Sequence, residues 1–189
     1  VRLAQQTPSW VNSEPWRVYA ATGQSLTQIR QGCLDLAAQK VATNPDLKTM
    51  SRDDWDARPQ KLMKDWGHDL VHSFTDFDEA HTVMTGASDA LNNAPAILFV
   101  TIPKQTPDWA ILDAGAFMQS LLLAATAKGL GSIPTYNSVR YPQVVRQVLG
   151  IPETERLLVG VELGYESSAK VNAFRAQRPD LSDVLKISE

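Results

Sequence analysis

The sequence predicts an α+β fold: about four strands, mostly separated by helices, with one long helix at the centre. Three stretches carry this reading. Ala94 to Ile102 is a nearly continuous apolar run closed by Pro103, which is how a buried central strand reads. Leu157 to Leu163 is a second such run, ended by Gly164-Tyr165. Between them, Asp108 to Lys128 has the strongest helical periodicity of the chain. Ile111, Ala114, Met118, Leu121, Leu122 and Ala125 occupy one broad face, and Phe117 and Leu123 widen it. A helix apolar over more than one side is expected to be central and buried.

The remaining elements follow in order. Val1 to Gln6 reads as the last turn or two of a helix, stopped by Thr7-Pro8. Thr7 to Trp16 holds Pro8, Pro15, Trp10 and Trp16 among hydroxyl, amide and carboxylate side chains. Its prolines exclude a regular helix or central strand and leave a stiff loop. Such a loop can hold a ligand against a rigid scaffold, or its tryptophans can simply anchor it to the core. Composition does not choose between the two. Trp16 to Thr22 alternates as a strand, with Gly23 ending it. Leu26, Ile29, Cys33, Leu36, Ala37 and Val41 predict a helix over Ser25 to Ala42, closed by Asn44-Pro45. Residues 46 to 81 are charged and aromatic with weak periodicity, and short helices are expected around Pro59 to Phe74. Thr85 to Asn93 reads as a linker, helical around Ser88 to Asn92. Ser132 to Asn137 is a short extended piece, and a brief helix follows Tyr141-Pro142 until Gly150. No internal repeat or low-complexity segment interrupts this single domain, which spans residues 1–189.

Composition bounds the function. With 43% hydrophobic and 21% charged residues in 189, the chain is of soluble globular type. A net charge of -3 argues against a general nucleic-acid binder, which needs a basic face for phosphates. It leaves room for a small phosphate site built from one or two arginines. The single cysteine, Cys33, excludes an intrachain disulfide, and its place in a periodic stretch makes it a small apolar core residue. The longest apolar run falls short of the ~20 residues that span a bilayer. No signal peptide opens the chain, so a cytoplasmic location is expected.

Candidate chemistry is sparse. Gly129-Leu130-Gly131 follows a helix instead of opening one and so is not a dinucleotide fingerprint. There is no Gly-x-Ser-x-Gly elbow, and no histidine has an evident serine or cysteine partner. His68 and His72 share a helical face, but matching glutamate or cysteine ligands are not evident, and no metal is expected. A chain without nucleophile, metal set or acid/base cluster, yet with an ordered polar loop, suits a borrowed cofactor that carries the chemistry.

Pro8-Ser9-Trp10-Val11-Asn12-Ser13-Glu14-Pro15-Trp16 resembles the Pro-Ser-x-x-Asn-x-Gln-Pro-Trp signature of the flavin-dependent nitroreductases. The resemblance continues through Trp109 to Ala125, through Gly129-Leu130-Gly131-Ser132-Ile133-Pro134, and through Leu163-Gly164-Tyr165 and Phe174-Arg175-Ala176-Gln177-Arg178. It covers nearly the whole chain apart from residues 46 to 92, a variable excursion. It implies a nitroreductase-like fold, with a central mixed or antiparallel sheet of about four to five strands flanked by helices. It implies a homodimer with FMN between the subunits, and the long helix contributing to the interface.

By the same resemblance, Pro8, Ser9 and Asn12 belong to the loop that approaches the flavin of the partner subunit. Glu14 stands where the family usually has Gln, and a carboxylate donates no hydrogen bond unless protonated. Ile133, Pro134, Thr135 and Tyr136 form the flavin-facing turn, with the backbone N–H of Tyr136 near the flavin N5. Arg178, and Arg175 beside it, match the phosphate-binding arginine. The family's Arg-x-Ser-x-Arg type opening segment has no counterpart ahead of Val1. The implied activity is reduction of nitroaromatics, quinones or similar flat electrophiles, with NAD(P)H as co-substrate, by a ping-pong hydride mechanism. No catalytic side chain, nucleic acid or membrane takes part. Trp55, Trp66 and Phe74 are the expected pocket walls. A flavin-storage protein on the same scaffold, or an interaction module without flavin, are the alternatives.

Overall fold

The computed structural model describes residues 1–188. Its elements run β1 (Arg17–Thr22), α1 (Gly23–Ala38), α2 (Ala57–His72), α3 (Phe77–Asp89), β2 (Ala96–Pro103), α4 (Asp108–Thr126), β3 (Gly131–Thr135), α5 (Pro142–Leu149), β4 (Glu155–Gly164) and α6 (Leu181–Val184), with short 3-10 turns between. The chain forms two compact units. The first takes Val1–Lys48 and Thr85–Glu166, and the second takes Thr49–Met84 and the tail from Ser167.

The first unit is built on one antiparallel sheet, in the order β1-β2-β4-β3. The α+β class and the four strands agree with the sequence reading. The two apolar runs pair with each other at the sheet centre, because only strands covered on both faces can be apolar throughout. Along β2 the residues alternate. Ile97 and Phe99 join a core with Leu26, Ile29 and Cys33 of α1 and Val145 of α5. Leu98, Val100 and Ile102 face α4, where Ala110, Ala114, Phe117 and Leu121 pack. The register slips between Val100 and Thr101, and this bulge places both Leu158 and Val159 in the α4-side core. Cys33 is fully buried, as its periodic position predicts.

Several expectations are corrected. Gly23 opens α1 instead of ending β1, and α1 stops at Ala38. The segment read as a linker before β2 is largely helix: α3 runs to Asp89, and Leu91–Asn93 forms a 3-10 turn. Residues 1 to 6 contain only one 3-10 turn, Ala4–Gln6. The helix α4 is central but not buried all round. Trp109, Leu112 and Leu123 are 53%, 61% and 62% exposed, which defines an open stripe along one side. By length and composition α4 is apolar enough to cross a membrane. Its buried residues, Asp113 among them, instead pack it against the sheet.

The second unit has a small core of its own. Leu70 and Phe74 from the end of α2 meet Ala80 of α3, with Val71, Met84, Val171 and Phe174 around them. Glu79 closes the start of α3: its carboxylate accepts the Thr75 N–H at 2.6 Å, and its own N–H donates to Asp76 Oδ1 at 2.8 Å. Phe74, read as a pocket wall, is a core residue here, only 7% exposed. Trp55 and Trp66 are exposed.

Candidate functional site

The opening loop answers the question that its composition left open. Its two tryptophans divide the work. Trp16 is buried and stacks on Phe117, centroids 4.7 Å apart, which anchors the loop's end to the α4-side core. Trp10 is exposed and stacks on Trp109 at 5.4 Å, so it lies on the open stripe of α4. Between them the backbone turns left-handed at Val11, Asn12 and Glu14, with φ of 44, 58 and 40°. For a β-branched residue such as Val11 this is a costly conformation, kept only where the surroundings dictate it. The surroundings do so here. The Trp10 N–H donates to Asp113 Oδ2 at 3.0 Å, a carboxylate buried on α4. The Glu14 N–H donates to Ser9 Oγ at 2.9 Å, and Asn12 Nδ2 donates to Glu14 Oε1 at 3.3 Å. Thr7 Oγ1 lies 2.7 Å from Ser120 Oγ of α4.

Glu14 therefore has a visible role. It orients the Asn12 amide within the loop and needs no donor of its own to do so. Ser9 accepts a bond and keeps its hydroxyl proton for another acceptor. Pro8 and Asn12 are exposed, so the loop offers polar groups on a fixed backbone.

The second predicted segment lies at the sheet edge. Pro134 sits in β3, where a missing N–H is tolerated because only one side of the strand is paired. Ile133 and Tyr136 are 49% and 39% exposed, while Thr135 turns inward. Thr135 Oγ1 donates to Glu162 Oε1 at 2.6 Å. Ser138 Oγ donates to the Thr135 carbonyl at 2.8 Å, and the Tyr136 hydroxyl reaches Thr43 Oγ1 at 3.1 Å. Gly160, opposite Thr135, must lack a side chain: a Cβ there would stand 2.3 Å from Ser138 Oγ.

Two carboxylates central to this geometry, Asp113 and Glu162, are absent from the sequence-derived set. The signal was a charged residue inside an apolar pattern, Ile-Leu-Asp-Ala-Gly in α4 and Val-Gly-Val-Glu-Leu in β4.

Arg175 and Arg178 belong to the second unit. Their guanidiniums hold nearby main-chain carbonyls: Arg175 those of Asn172 and Phe174, and Arg178 those of Ala176 and Gln177. Arg178 also lines an open cleft of about 440 Å³ with Arg58, Lys61 and Asp180. His68 and His72 stack on α2 at 3.9 Å, with His72 Nδ1 2.8 Å from the His68 carbonyl.

The nitroreductase family model matches residues 1–165. The chain belongs to the nitroreductase family. A 4-nitrobenzoate reductase of Pseudomonas putida is 26% identical over 183 residues, covering 94% of this chain and 79% of that protein. The nitroreductase NfnB of Mycolicibacterium smegmatis is 27% identical, covering 98% of this chain and 80% of that protein. The solved FMN-dependent NfnB from Mycobacterium smegmatis, in complex with NADPH, superposes with a TM-score of 0.90 at 26% identity, over 100% of this chain and 85% of that one. An FMN- and NADPH-dependent NfnB from a Sphigopyxis strain gives a TM-score of 0.89 at 22% identity, over 100% and 86%, which speaks for the fold alone. The resemblance to the nitroreductase family is borne out.

Proposed function

We propose that this nitroreductase is an FMN-dependent oxidoreductase that uses NAD(P)H to reduce nitroaromatic, quinone or similar flat electrophiles by a ping-pong hydride mechanism. In this reading the whole chain works as one domain of a cytoplasmic homodimer, with flavin at the subunit interface. The observation that carries it is the left-handed loop at Val11–Glu14, held by a buried carboxylate and set beside an open apolar stripe. Strain of this kind persists where a ligand site needs a fixed backbone.

The residues present fit the cofactor. Bound FMN would supply the hydride chemistry, which no side chain of the site could perform. Ser9 and Asn12, with Pro8 and Glu14 fixing the loop, offer hydrogen bonds to a polar ring edge. Ile133 and Pro134 offer an exposed apolar surface to a flat ring. The Tyr136 N–H is the proposed donor at N5, and its contribution is a fixed dipole that needs no reorganisation during reaction. Arg175 and Arg178 are the proposed phosphate ligands, because a guanidinium fork matches phosphate geometry. The stripe of Trp10, Trp109, Leu112 and Leu123 supports the dimer: apolar surface of this extent on one helix face is stable when covered by a second copy. Trp55 and Trp66 remain the proposed determinants of substrate choice.

The test is direct. Purified protein should be yellow and dimeric, and its flavin should bleach in stopped-flow mixing with NADPH or NADH. A bound flavin that stays oxidised with both would mean a storage protein. Colourless protein that takes up no added FMN would overturn the flavin reading altogether.

A further inference from the structure

Glu162 is 2% exposed, two residues before the end of β4, with no cation beside it among the described residues. Its carboxylate is used on both oxygens. Thr135 donates to Oε1 at 2.6 Å and Asn92 Nδ2 donates to Oε2 at 2.7 Å. Glu162 stands opposite Ile133, so Thr135 is its diagonal neighbour on the same face of the sheet. Asn92 lies in an unusual turn. Leu91, Asn92 and Asn93 have φ of 49, 49 and 50°, consecutive left-handed residues without a glycine. Arg30 clamps that turn from outside, donating to the Ala90 carbonyl at 2.7 Å and the Ala94 carbonyl at 3.2 Å. Further links join the same two segments: Asn137 donates to Ser88, and Arg140 pairs with Asp89 at 3.0 Å. Residues 88–92 and 135–140 are thus laced together, and Glu162 is the buried centre of the seam.

A buried carboxylate is a poor way to stabilise a strand, because an apolar side chain of similar volume is usually as good or better. What it adds is direction. We propose that Glu162 is a positioning residue: by holding Thr135 against the left-handed Asn92 turn, it fixes the orientation of the Tyr136 amide. This rests on the reading of that turn as flavin-facing. Glu162 touches no reactant and acts on the Tyr136 amide through Thr135, with Asn92 anchoring its other oxygen.

A double-mutant cycle tests it. Thr135→Val removes the hydroxyl at constant shape, Glu162→Met removes the carboxylate, and the double variant combines them. Hydrogen–deuterium exchange of the 133–139 segment in the purified protein is read alongside the rate of flavin reduction at saturating NADPH. Each single variant is expected to raise exchange in that segment, and to slow reduction, by about tenfold, the factor that one lost net hydrogen bond allows. The NADPH concentration giving half-maximal rate should stay unchanged. The double variant should be no worse than Glu162→Met alone, because Glu162→Met already breaks the Thr135 link as well as the Asn92 one. Lower melting temperatures with unchanged exchange and reduction rate would overturn the proposal and leave Glu162 a structural residue. Additive effects in the double variant would overturn it too, since Glu162 would then act by another route. If Glu162→Met does not fold, Thr135→Val decides alone: unchanged exchange and rate refute the proposal. Wild-type flavin that neither nicotinamide bleaches would sink the oxidoreductase reading instead, while the exchange data still decide whether Glu162 sets the turn.

Discussion

Replacing Glu155 with alanine should destabilise the protein by about 2–4 kcal/mol, nearly all of it from two hydroxyl groups. Glu155 begins β4 and is 2% exposed. Its carboxylate accepts the Thr101 hydroxyl at 2.5 Å and the Tyr19 hydroxyl at 3.1 Å, and it pairs with Arg17. Thr101 has no exposed surface, so the substitution orphans its hydroxyl in the core at the full desolvation penalty, ~1–3 kcal/mol. Tyr19 is only partly buried and can turn to water, which places it at the lower end of that range. The Arg17 side chain is 64% exposed, and solvent screening leaves its ion pair little weight. Against a total stability of ~5–15 kcal/mol the loss is easily measured. Urea denaturation should show a lower midpoint at unchanged slope. Arg17→Ala, by contrast, should leave the midpoint almost where it was. Two results would refute the reasoning: a Glu155→Ala midpoint equal to wild type, or an Arg17→Ala loss as large as that of Glu155→Ala. The same carboxyl gives a pH signature. Burial pushes it up, but hydrogen bonds from Thr101, Arg17 and Tyr19, with the Arg17 charge, outweigh that and hold it below the usual range. A carboxyl depressed in the folded state contributes stability above its unfolded pKa, about 4.3, and loses it as pH falls through the folded value. Glu155→Gln should therefore flatten part of the acid limb of the stability profile below about pH 4.

Gly160→Ala should cost about 1–3 kcal/mol by overpacking, because the new Cβ would meet Ser138 Oγ at 2.3 Å and Ser138 Cβ at 2.8 Å. Thermal melts read the loss, and adding Ser138→Gly should recover part of it; a Gly160→Ala protein as stable as wild type would contradict the packing. Burial pushes the Cys33 thiol up to about 11, so a thiol reagent at pH 8 should label it only after denaturation. Rapid labelling of the folded protein would show that the α1 core opens. If the proposed dimer forms through the exposed stripe of α4, Trp109→Glu or Leu112→Glu should shift it to monomer in light scattering, with little change in secondary structure by circular dichroism. A dimer that survives both changes would place the interface elsewhere.

The parts of the fold that depend on pattern alone were legible in the sequence. β2 and the Leu157–Leu163 run of β4 are apolar but for Thr101 and Glu162 because both faces are covered, and α4 shows its periodicity over 19 residues. The open side of α4 was not legible, since an apolar helix looks the same whether its own chain or a second copy covers it. α3 was missed because its apolar positions are weakly periodic. Its start was nevertheless written in Asp76-Phe77-Asp78-Glu79, the spacing of a capping box.

The left-handed segments are a different case. Local preference argues against φ near 44° at Val11 or 49° at Leu91, so no local rule could have found them. What the sequence does contain is a misplaced charge for each. Asp113 interrupts the apolar face of α4 and holds the Trp10 amide at the entry of one left-handed segment. Glu162 interrupts the apolar run of β4 and holds Asn92 in the other. A buried carboxylate must find donors or suffer the loss of its hydration, so it fixes whatever backbone carries those donors. In this chain the carboxylates that break the apolar pattern of α4 and β4 mark where the backbone is held against its local preference. One of those places is the loop proposed to approach the flavin; the other is tied through Glu162 to Thr135, in the turn proposed to face it.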